Sequence, residues 1–191
     1  MQRKTIRNLT QTLSSWSEGL SRIGECVVQF QRIDDCLGVC ISRLLGRDKK
    51  IGAIVTTEMS YRTKVSVFVA LFQHRLNGKS LPDDIVDLVK RLHRAEEDRN
   101  RLVHSLWDAD STKPDSIRRE KGTIRKNTYT VTAERFTPHD LEEMSRSFEG
   151  IAIDLIFFMS EYLPQLKIRY PSRPGVAVQF LTRASGPVSN N

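Results

Sequence analysis

The sequence has no long hydrophobic run, and this absence argues against a membrane-spanning protein. The longest apolar stretch, from Ile151 to Met159, is interrupted by Asp154 and is shorter than the roughly 18 residues that a membrane-spanning helix needs. Arg3, Lys4 and Arg7 stand near the start, but the apolar segment of a signal peptide does not follow them. We therefore expect a cytoplasmic protein that makes no membrane contact.

Cysteine is also scarce, with only Cys26, Cys36 and Cys40. Cys36 and Cys40 are one helical turn apart, where backbone geometry disfavours a disulfide, and no pair has the Cys-x-x-Cys spacing of a zinc site. The sequence lacks the Gly-x-Ser-x-Gly of α/β-hydrolases and the Glu-x-x-His of di-iron bundles. We expect buried thiols in a reducing compartment and neither a metal nor another cofactor.

Positive charge, by contrast, is in excess. The chain has 30 Lys and Arg against 23 Asp and Glu, a formal net charge of +7. This balance weakly favours a polyanionic partner such as RNA or DNA. The length of 191 residues and the 39% of hydrophobic residues fit one domain with a modest core.

Apolar residues recur at helical spacing in four segments, at 14–45, 57–76, from 80–83 to 106, and from 137 onward. Gly46 is placed to end the first helix, and Asn77-Gly78 the second. Thr137, Pro138 and Asp140 form an N-cap, first position and capping box for the last. Its stripe fits either a seam inside the bundle or a dimer seam: Leu141, Met144, Phe148, Ile151, Leu155, Phe158 and Tyr162.

Between the last two helices, residues 109–136 lose the helical pattern and become basic. Residues 127–133 alternate between threonine and larger side chains, which indicates one or two short strands, with a hairpin turn at Lys121-Gly122. The predicted fold class is all-α: an antiparallel helical bundle with a small β-hairpin or loop insertion before the last long helix. It fills a domain at 1–164, followed by a basic, proline-containing, flexible tail at 165–191.

The segment from Glu96 to Ser105 has the strongest functional signal. A helix turns by about 100° per residue, so Asn100 and His104 are expected to lie roughly 40° apart on one face, and Arg99 and His104 roughly 140° apart. Arg99 also occupies a position where the apolar stripe predicts a core residue, and a charge there needs a partner or a polar cavity.

Arg99, Asn100 and His104 form an Arg-Asn-x-x-x-His pattern that resembles the ribonuclease motif of the HEPN superfamily. The order of elements over residues 14–164 is similar to that family as well. The resemblance implies a homodimer in which two motif helices form one cleft, and a metal-independent endoribonuclease that leaves 2′,3′-cyclic phosphate ends. Within the family such proteins include toxins and defence effectors, so a cognate antitoxin or another protein partner is also implied.

The resemblance also assigns roles to single residues. His104 would be the general base or acid, since imidazole titrates near neutrality. Arg99 would neutralise the charge on the phosphorane, and Asn100 would orient His104 or the ribose. Asp98 or Glu97 would position Arg99. Ser105, directly after the histidine, belongs to the same match as a supporting residue.

Further residues are candidates for contact with nucleic acid. Trp107 either stacks on a base or packs at a helix interface. The basic insertion either contacts phosphates or is a solvated loop; its candidates are Arg118, Arg119, Lys121, Arg125 and Lys126. Two other functions remain open, a non-catalytic helical interaction module and a DNA-binding regulator.

Overall fold

The computed structural model describes residues 2–46, 49–77 and 79–165, without the side chains of residues 2–7, 49 and 125. These ranges hold five helices and three strands, so the all-α prediction is wrong, although helices dominate. In chain order the elements are α1 (Gln2–Leu44), α2 (Lys49–Thr57), α3 (Tyr61–Arg75), α4 (Asp83–Val103), β1 (Leu106–Ala109), β2 (Ile117–Arg125), β3 (Thr128–Phe136) and α5 (Pro138–Gln165). Of the predicted tail, all but Gln165 lies outside the described residues.

The first helix begins earlier than predicted and ends where expected. It covers 43 residues from Gln2. The sequence before position 14 is mostly polar and does not continue the apolar stripe, so the pattern did not show this part of the helix. Gly46 has φ 65°, a left-handed conformation that suits glycine, and its N–H donates to the carbonyl of Arg43. The core face of α1 is fully or nearly fully buried at Cys26, Phe30, Ile33, Leu37, Cys40, Ile41 and Leu44.

The second predicted helix, at 57–76, corresponds to α3, and the short helix α2 before it was not predicted. α2 ends at Thr57, and α3 begins at Tyr61 after the N-cap Ser60, whose hydroxyl accepts from the N–H of Thr63 at 3.2 Å. The predicted start at 57 is therefore four residues too early, and α2 has only nine residues, too few for a clear helical pattern.

The bundle is not purely antiparallel, which corrects the second part of the predicted fold class. Cys26 Sγ lies 3.3 Å from the carbonyl oxygen of Leu141, and Cys40 Sγ lies 3.8 Å from that of Leu155. Since the residue numbers on the two helices rise together along these contacts, α1 and α5 are parallel. The α5 stripe is therefore used inside its own bundle: Leu141, Phe148, Ile151, Leu155 and Phe158 are at most 2% exposed.

The other two long helices follow from their contacts. The ring of Tyr61 at the start of α3 packs against that of Phe30 at a tilt of 37°, and Arg75 at its end donates to the carbonyl of Leu44, so α3 is also parallel to α1. α4 runs against α5, because Asp84 near its start accepts from the hydroxyl of Tyr162 near the end of α5.

The insertion is an antiparallel sheet in the order β1-β2-β3 rather than a single hairpin. β1 pairs only with residues 117–120 of β2, so residues 121–132 continue as a two-stranded ribbon, here called the distal ribbon. Its turn lies at Lys126-Asn127, with φ 46° and 63°, and not at Lys121-Gly122 as predicted. Two successive residues with positive φ make the kind of tight turn that matches the twist of a hairpin.

The start of α5 is confirmed. Thr137 N–H donates to Asp140 Oδ2 at 2.7 Å, and Asp140 N–H donates to Thr137 Oγ1 at 3.2 Å, which is the reciprocal capping box. The cysteines are free thiols, and burial raises the pKa of Cys26 to about 12. Among the described helices, none has the length and apolar character needed to cross a bilayer.

Candidate functional site

The candidate site lies at the C-terminal end of α4. The helix ends at Val103, and His104 has left the helical conformation, with φ −108° and ψ 40°. Its main-chain N–H still donates to the carbonyl of Asn100 at 3.1 Å, the last bond of the helix. The prediction that this helix continues to Leu106 is therefore wrong, and helical angles no longer determine where the imidazole of His104 lies.

The helix ends here because the sheet caps it. The carbonyl of Arg101 accepts from Ser105 Oγ at 2.8 Å and from Arg119 Nε at 2.9 Å. The carbonyl of Leu102 accepts from Trp107 Nε1 at 2.8 Å. Helix C-terminal carbonyls lack partners within the helix, so these side chains replace the missing turn. The sheet thereby fixes the position at which the chain leaves α4.

Arg99 is held by neutral groups. Its Nη1 donates to Asn100 Oδ1 at 3.0 Å, and its guanidinium carbon lies 5.6 Å from the ring centre of Phe30. It forms no ion pair with any described residue. A half-buried guanidinium held by an amide and an aromatic face keeps its full charge available for an anion.

Neither of the two acids that precede Arg99 in the chain forms an ion pair with it. Asp98 pairs with Arg101 at 3.0 Å and with Arg94 at 3.8 Å. Glu97 is exposed, and among the described residues it has no hydrogen bond or ion pair. The expectation that Asp98 or Glu97 positions Arg99 does not fit this geometry, and Asn100 takes that place.

His104 is exposed at the helix end. Within the described ranges its imidazole makes no hydrogen bond or ion pair, so both ring nitrogens are open to solvent. A free imidazole of this kind can take up or release a proton on a substrate atom. Within the motif, Arg99 and His104 thus form no ion pair with any described residue, so the guanidinium charge and the imidazole are available to a substrate.

An ion network fastens the sheet to this end of the helix. Glu134 on β3 accepts from Arg119 Nη1 at 2.7 Å and from Arg101 Nη2 at 2.9 Å. The hydrogen bond with Arg101, and then the charges of Arg101 and Arg119, hold the pKa of Glu134 below its ordinary value. The same hydrogen bond with Glu134 raises the pKa of Arg101. The carboxylate is therefore ionised and bridges the two arginines.

Two of the predicted nucleic-acid contacts lie inside the protein. Arg119 is only 3% exposed and donates to Ser105 Oγ as well as to Glu134. Trp107 is half-buried, with its ring centre 5.5 Å from that of Phe136. These residues cap α4, and the expectation that they contact a nucleic acid is a poor fit to their surroundings.

The remaining predicted contacts lie at the surface or outside the description. Arg118 is exposed and forms an ion pair with Glu120. Lys121 and Lys126 are exposed in the distal ribbon. Arg125 ends β2, but its side chain is outside the described part.

Sequence reasoning missed Phe30 and Glu134 as residues that hold the site. Phe30 looked like one more core residue of α1. Glu134 faces Arg119 in the register of β2 and β3, and the strand alternation places both on the inner face of the sheet. That pairing depends on the hairpin register, and a turn placed at Lys121-Gly122 gives the wrong partners.

Among the described residues no group of three or more His, Cys, Asp or Glu side chains is arranged to hold a metal ion. Comparison with protein-family models, with curated proteins and with solved structures finds no match to this chain. The function is therefore inferred from the geometry of the site itself.

Proposed function

We propose that this protein is a HEPN-type endoribonuclease that cleaves cytoplasmic RNA at a site shared by two copies of the chain, as a toxin or defence effector. One observation carries the proposal. Of the four arginines of α4, Arg91, Arg94 and Arg101 form ion pairs, whereas Arg99 has none with any described residue. The arginine without a counter-ion is the one in the Arg-Asn-x-x-x-His motif.

The proposed reaction is an internal transesterification. A base removes the proton of the ribose 2′-OH, and the 2′-oxygen forms a bond to the adjacent phosphorus. The bond from phosphorus to the 5′-oxygen breaks, and an acid protonates that oxygen. The products are a 2′,3′-cyclic phosphate and a 5′-hydroxyl. Arg99 stabilises the extra negative charge of the pentacoordinate phosphorane.

The need for two copies follows from this proton balance. The reaction uses a base and an acid together, and the end of one α4 offers a single exposed imidazole, that of His104. A second copy placed with its α4 end opposite supplies the other imidazole and a second Arg99. We therefore propose a homodimer in which one His104 is the base and the other is the acid.

The test is RNA cleavage in EDTA with analysis of the product ends. Wild type should leave 2′,3′-cyclic phosphates, and His104→Ala should lower the cleavage rate by about 100-fold or more, the loss typical of general acid–base groups. His93→Ala is the matched control, because His93 is also exposed on α4 but lies outside the motif. It should cut RNA at the wild-type rate.

Arg99 has a matched control of its own. Arg99→Gln should lose cleavage, while Arg94→Gln, which removes only an exposed ion pair, should keep it. If wild type cuts no RNA, or if His104→Ala cuts it as fast as wild type, the nuclease proposal is wrong. The alternative of a non-catalytic interaction module then takes its place.

A further inference from the structure

The distal ribbon is a basic arm that extends beyond the rest of the sheet. Residues 121–132 include Lys121, Arg125 and Lys126 and no aspartate or glutamate. They continue past the end of the pairing with β1, so this part of the sheet has two strands. The described side chains at Ile124, Tyr129 and Val131 are 74%, 66% and 51% exposed. An exposed apolar surface of this kind, with positive charges beside it, typically marks a site that binds a partner.

Tyr129 is held in a defined position on this ribbon. Gly122 lies diagonally across from it, and a Cβ built there meets Tyr129 Oη at 2.5 Å, Cε2 at 2.7 Å and Cζ at 2.9 Å. The ring therefore lies against the main chain of Gly122, in space that any other residue would fill. The hydroxyl end of the ring is the part nearest Gly122, and the side chain as a whole stays 66% exposed.

We propose that the distal ribbon binds single-stranded RNA, with one base stacked on the exposed ring of Tyr129 and the phosphates near Lys121 and Lys126. An exposed aromatic ring that is anchored at its hydroxyl end is a platform for a base, and every base has a face that can stack on it. Lys126 lies in the turn, two residues beyond Ile124, the cross-strand partner of Tyr129. This inference rests on the proposed function and names the binding surface that such a nuclease uses.

Charge favours RNA over a protein as the occupant. The ribbon has three cations and no acid, so a polyanion gains attraction along its whole length. A protein partner would bury Ile124 and Val131 together with Tyr129. Base stacking depends on the aromatic ring alone, and this difference can be measured.

The distal ribbon extends from the same sheet that caps the end of α4. Arg119, which caps α4, and Ile124, opposite Tyr129, are separated along β2 by about 17 Å at the usual rise of roughly 3.3 Å per residue. That is about five nucleotides of a stacked strand. Cleavage of an RNA long enough to span this distance should depend on Tyr129, and cleavage of a much shorter RNA should not.

The experiment measures binding of a fluorescein-labelled, single-stranded 12-nucleotide RNA by anisotropy in the His104→Ala protein, which leaves the RNA intact. Adding Tyr129→Ala should weaken binding by about 10-fold, the equivalent of about 1.4 kcal/mol. Tyr129→Phe keeps the ring and should restore it. Gly122→Ala keeps the ring but displaces it, and should weaken binding as well. Val131→Ala, opposite Gly122 on the same face, is the matched control and should bind normally.

The outcomes separate this inference from the nuclease proposal. The ribbon proposal would be overturned if Tyr129→Ala bound RNA as tightly as the protein with Tyr129 and unfolded at the same temperature as wild type. This holds whether or not the protein cuts RNA. Equal losses of RNA binding in Tyr129→Ala, Val131→Ala and Ile124→Ala would also overturn it, because base stacking needs only the aromatic ring. Loss of binding in Tyr129→Ala in a protein that never cuts RNA would retain the ribbon and reject the nuclease.

Discussion

Arg119 Nε lies 2.9 Å from the main-chain carbonyl oxygen of Arg101, so a side chain of the sheet closes the helix that leads into His104. The same guanidinium donates to Ser105 Oγ and to Glu134, which places three acceptors around one buried cation. The site is thus held from both sides, by helix α4 and by strands β2 and β3. A substitution in the sheet should therefore change the stability of the helix end at His104.

We expect Arg119→Met to lower the free energy of unfolding by about 2 kcal/mol, because hydrogen bonds to a charged group are lost and a helix carbonyl loses a partner. Amide hydrogen exchange at His104 should become faster, since its N–H bond to Asn100 is the last of the capped helix. Exchange followed by NMR and urea unfolding measure the two effects. Arg118→Met changes the neighbouring exposed arginine and should cost about 0.5 kcal/mol or less. Equal exchange rates at His104 in wild type and Arg119→Met would contradict the clamp.

Two glycines should respond in opposite directions to alanine. A Cβ at Gly52 meets Ser42 Oγ at 1.6 Å and Ser42 Cα at 2.9 Å, so α2 packs on α1 only because this side chain is missing. Gly52→Ala should therefore destabilise by about 1–3 kcal/mol. A Cβ at Gly24 meets nothing within 4 Å. Gly24→Ala should stabilise by about 0.5–1 kcal/mol, because alanine is the better helix former. Urea unfolding of both variants decides, and stabilisation by Gly52→Ala would disprove the close packing.

The sequence predicts best where the signal is local. The start of α5 was found correctly because Thr137, Pro138 and Asp140 act on one another within four residues. Gly46 is another case, since its positive φ depends on the glycine itself. In both places the residues that determine the structure are neighbours in the chain.

The end of α4 could not be found in this way. The spacing from Leu102 to Leu106 fits a continuing helix, and the bonds that end it come from Trp107 in β1 and Arg119 in β2. The hairpin turn was misplaced for a similar reason. Gly122 looks like a turn residue, but it is glycine because the ring of Tyr129 lies on it. Both features depend on side-chain contacts that form only once the strands have paired, and the spacing of residues in a single sequence does not display them.

Acid should weaken the loop between β1 and β2 through Asp110, which is 4% exposed. Hydrogen bonds from Thr112, and then from Arg135, lower the pKa of this carboxyl below its ordinary value of 3.8. A lowered folded-state pKa gives stability that is present above the unfolded value and is lost as the pH falls through the folded one. Asp110→Asn should therefore be less stable than wild type at neutral pH, with a difference that shrinks below about pH 3.8.

Urea unfolding over a series of pH values tests this, with Asp115→Asn in the same loop as control because that side chain is exposed. The control should follow wild type at every pH. A difference between Asp110→Asn and wild type that grows as the pH falls has the wrong sign and would reject the role of Asp110.

The ion pair between Lys64 and Asp34 gives the last prediction, since it lies between α3 and α1 with side chains only 10% and 20% exposed. Lys64 Nζ lies 2.6 Å from Asp34 Oδ2, while Asp34 Oδ1 is buried without a hydrogen-bond partner. Lys64→Met should cost about 3 kcal/mol, because it leaves a buried carboxylate without its cation. Adding Asp34→Leu should recover most of this loss, because a well-packed apolar pair also avoids the cost of desolvating two charges.

A double-mutant cycle by urea unfolding measures the coupling between Lys64 and Asp34. Arg146→Met, which breaks an exposed pair with Glu142, is the control and should cost about 0.5 kcal/mol or less. Additive losses at Lys64 and Asp34 would show that the two charges stabilise the protein independently.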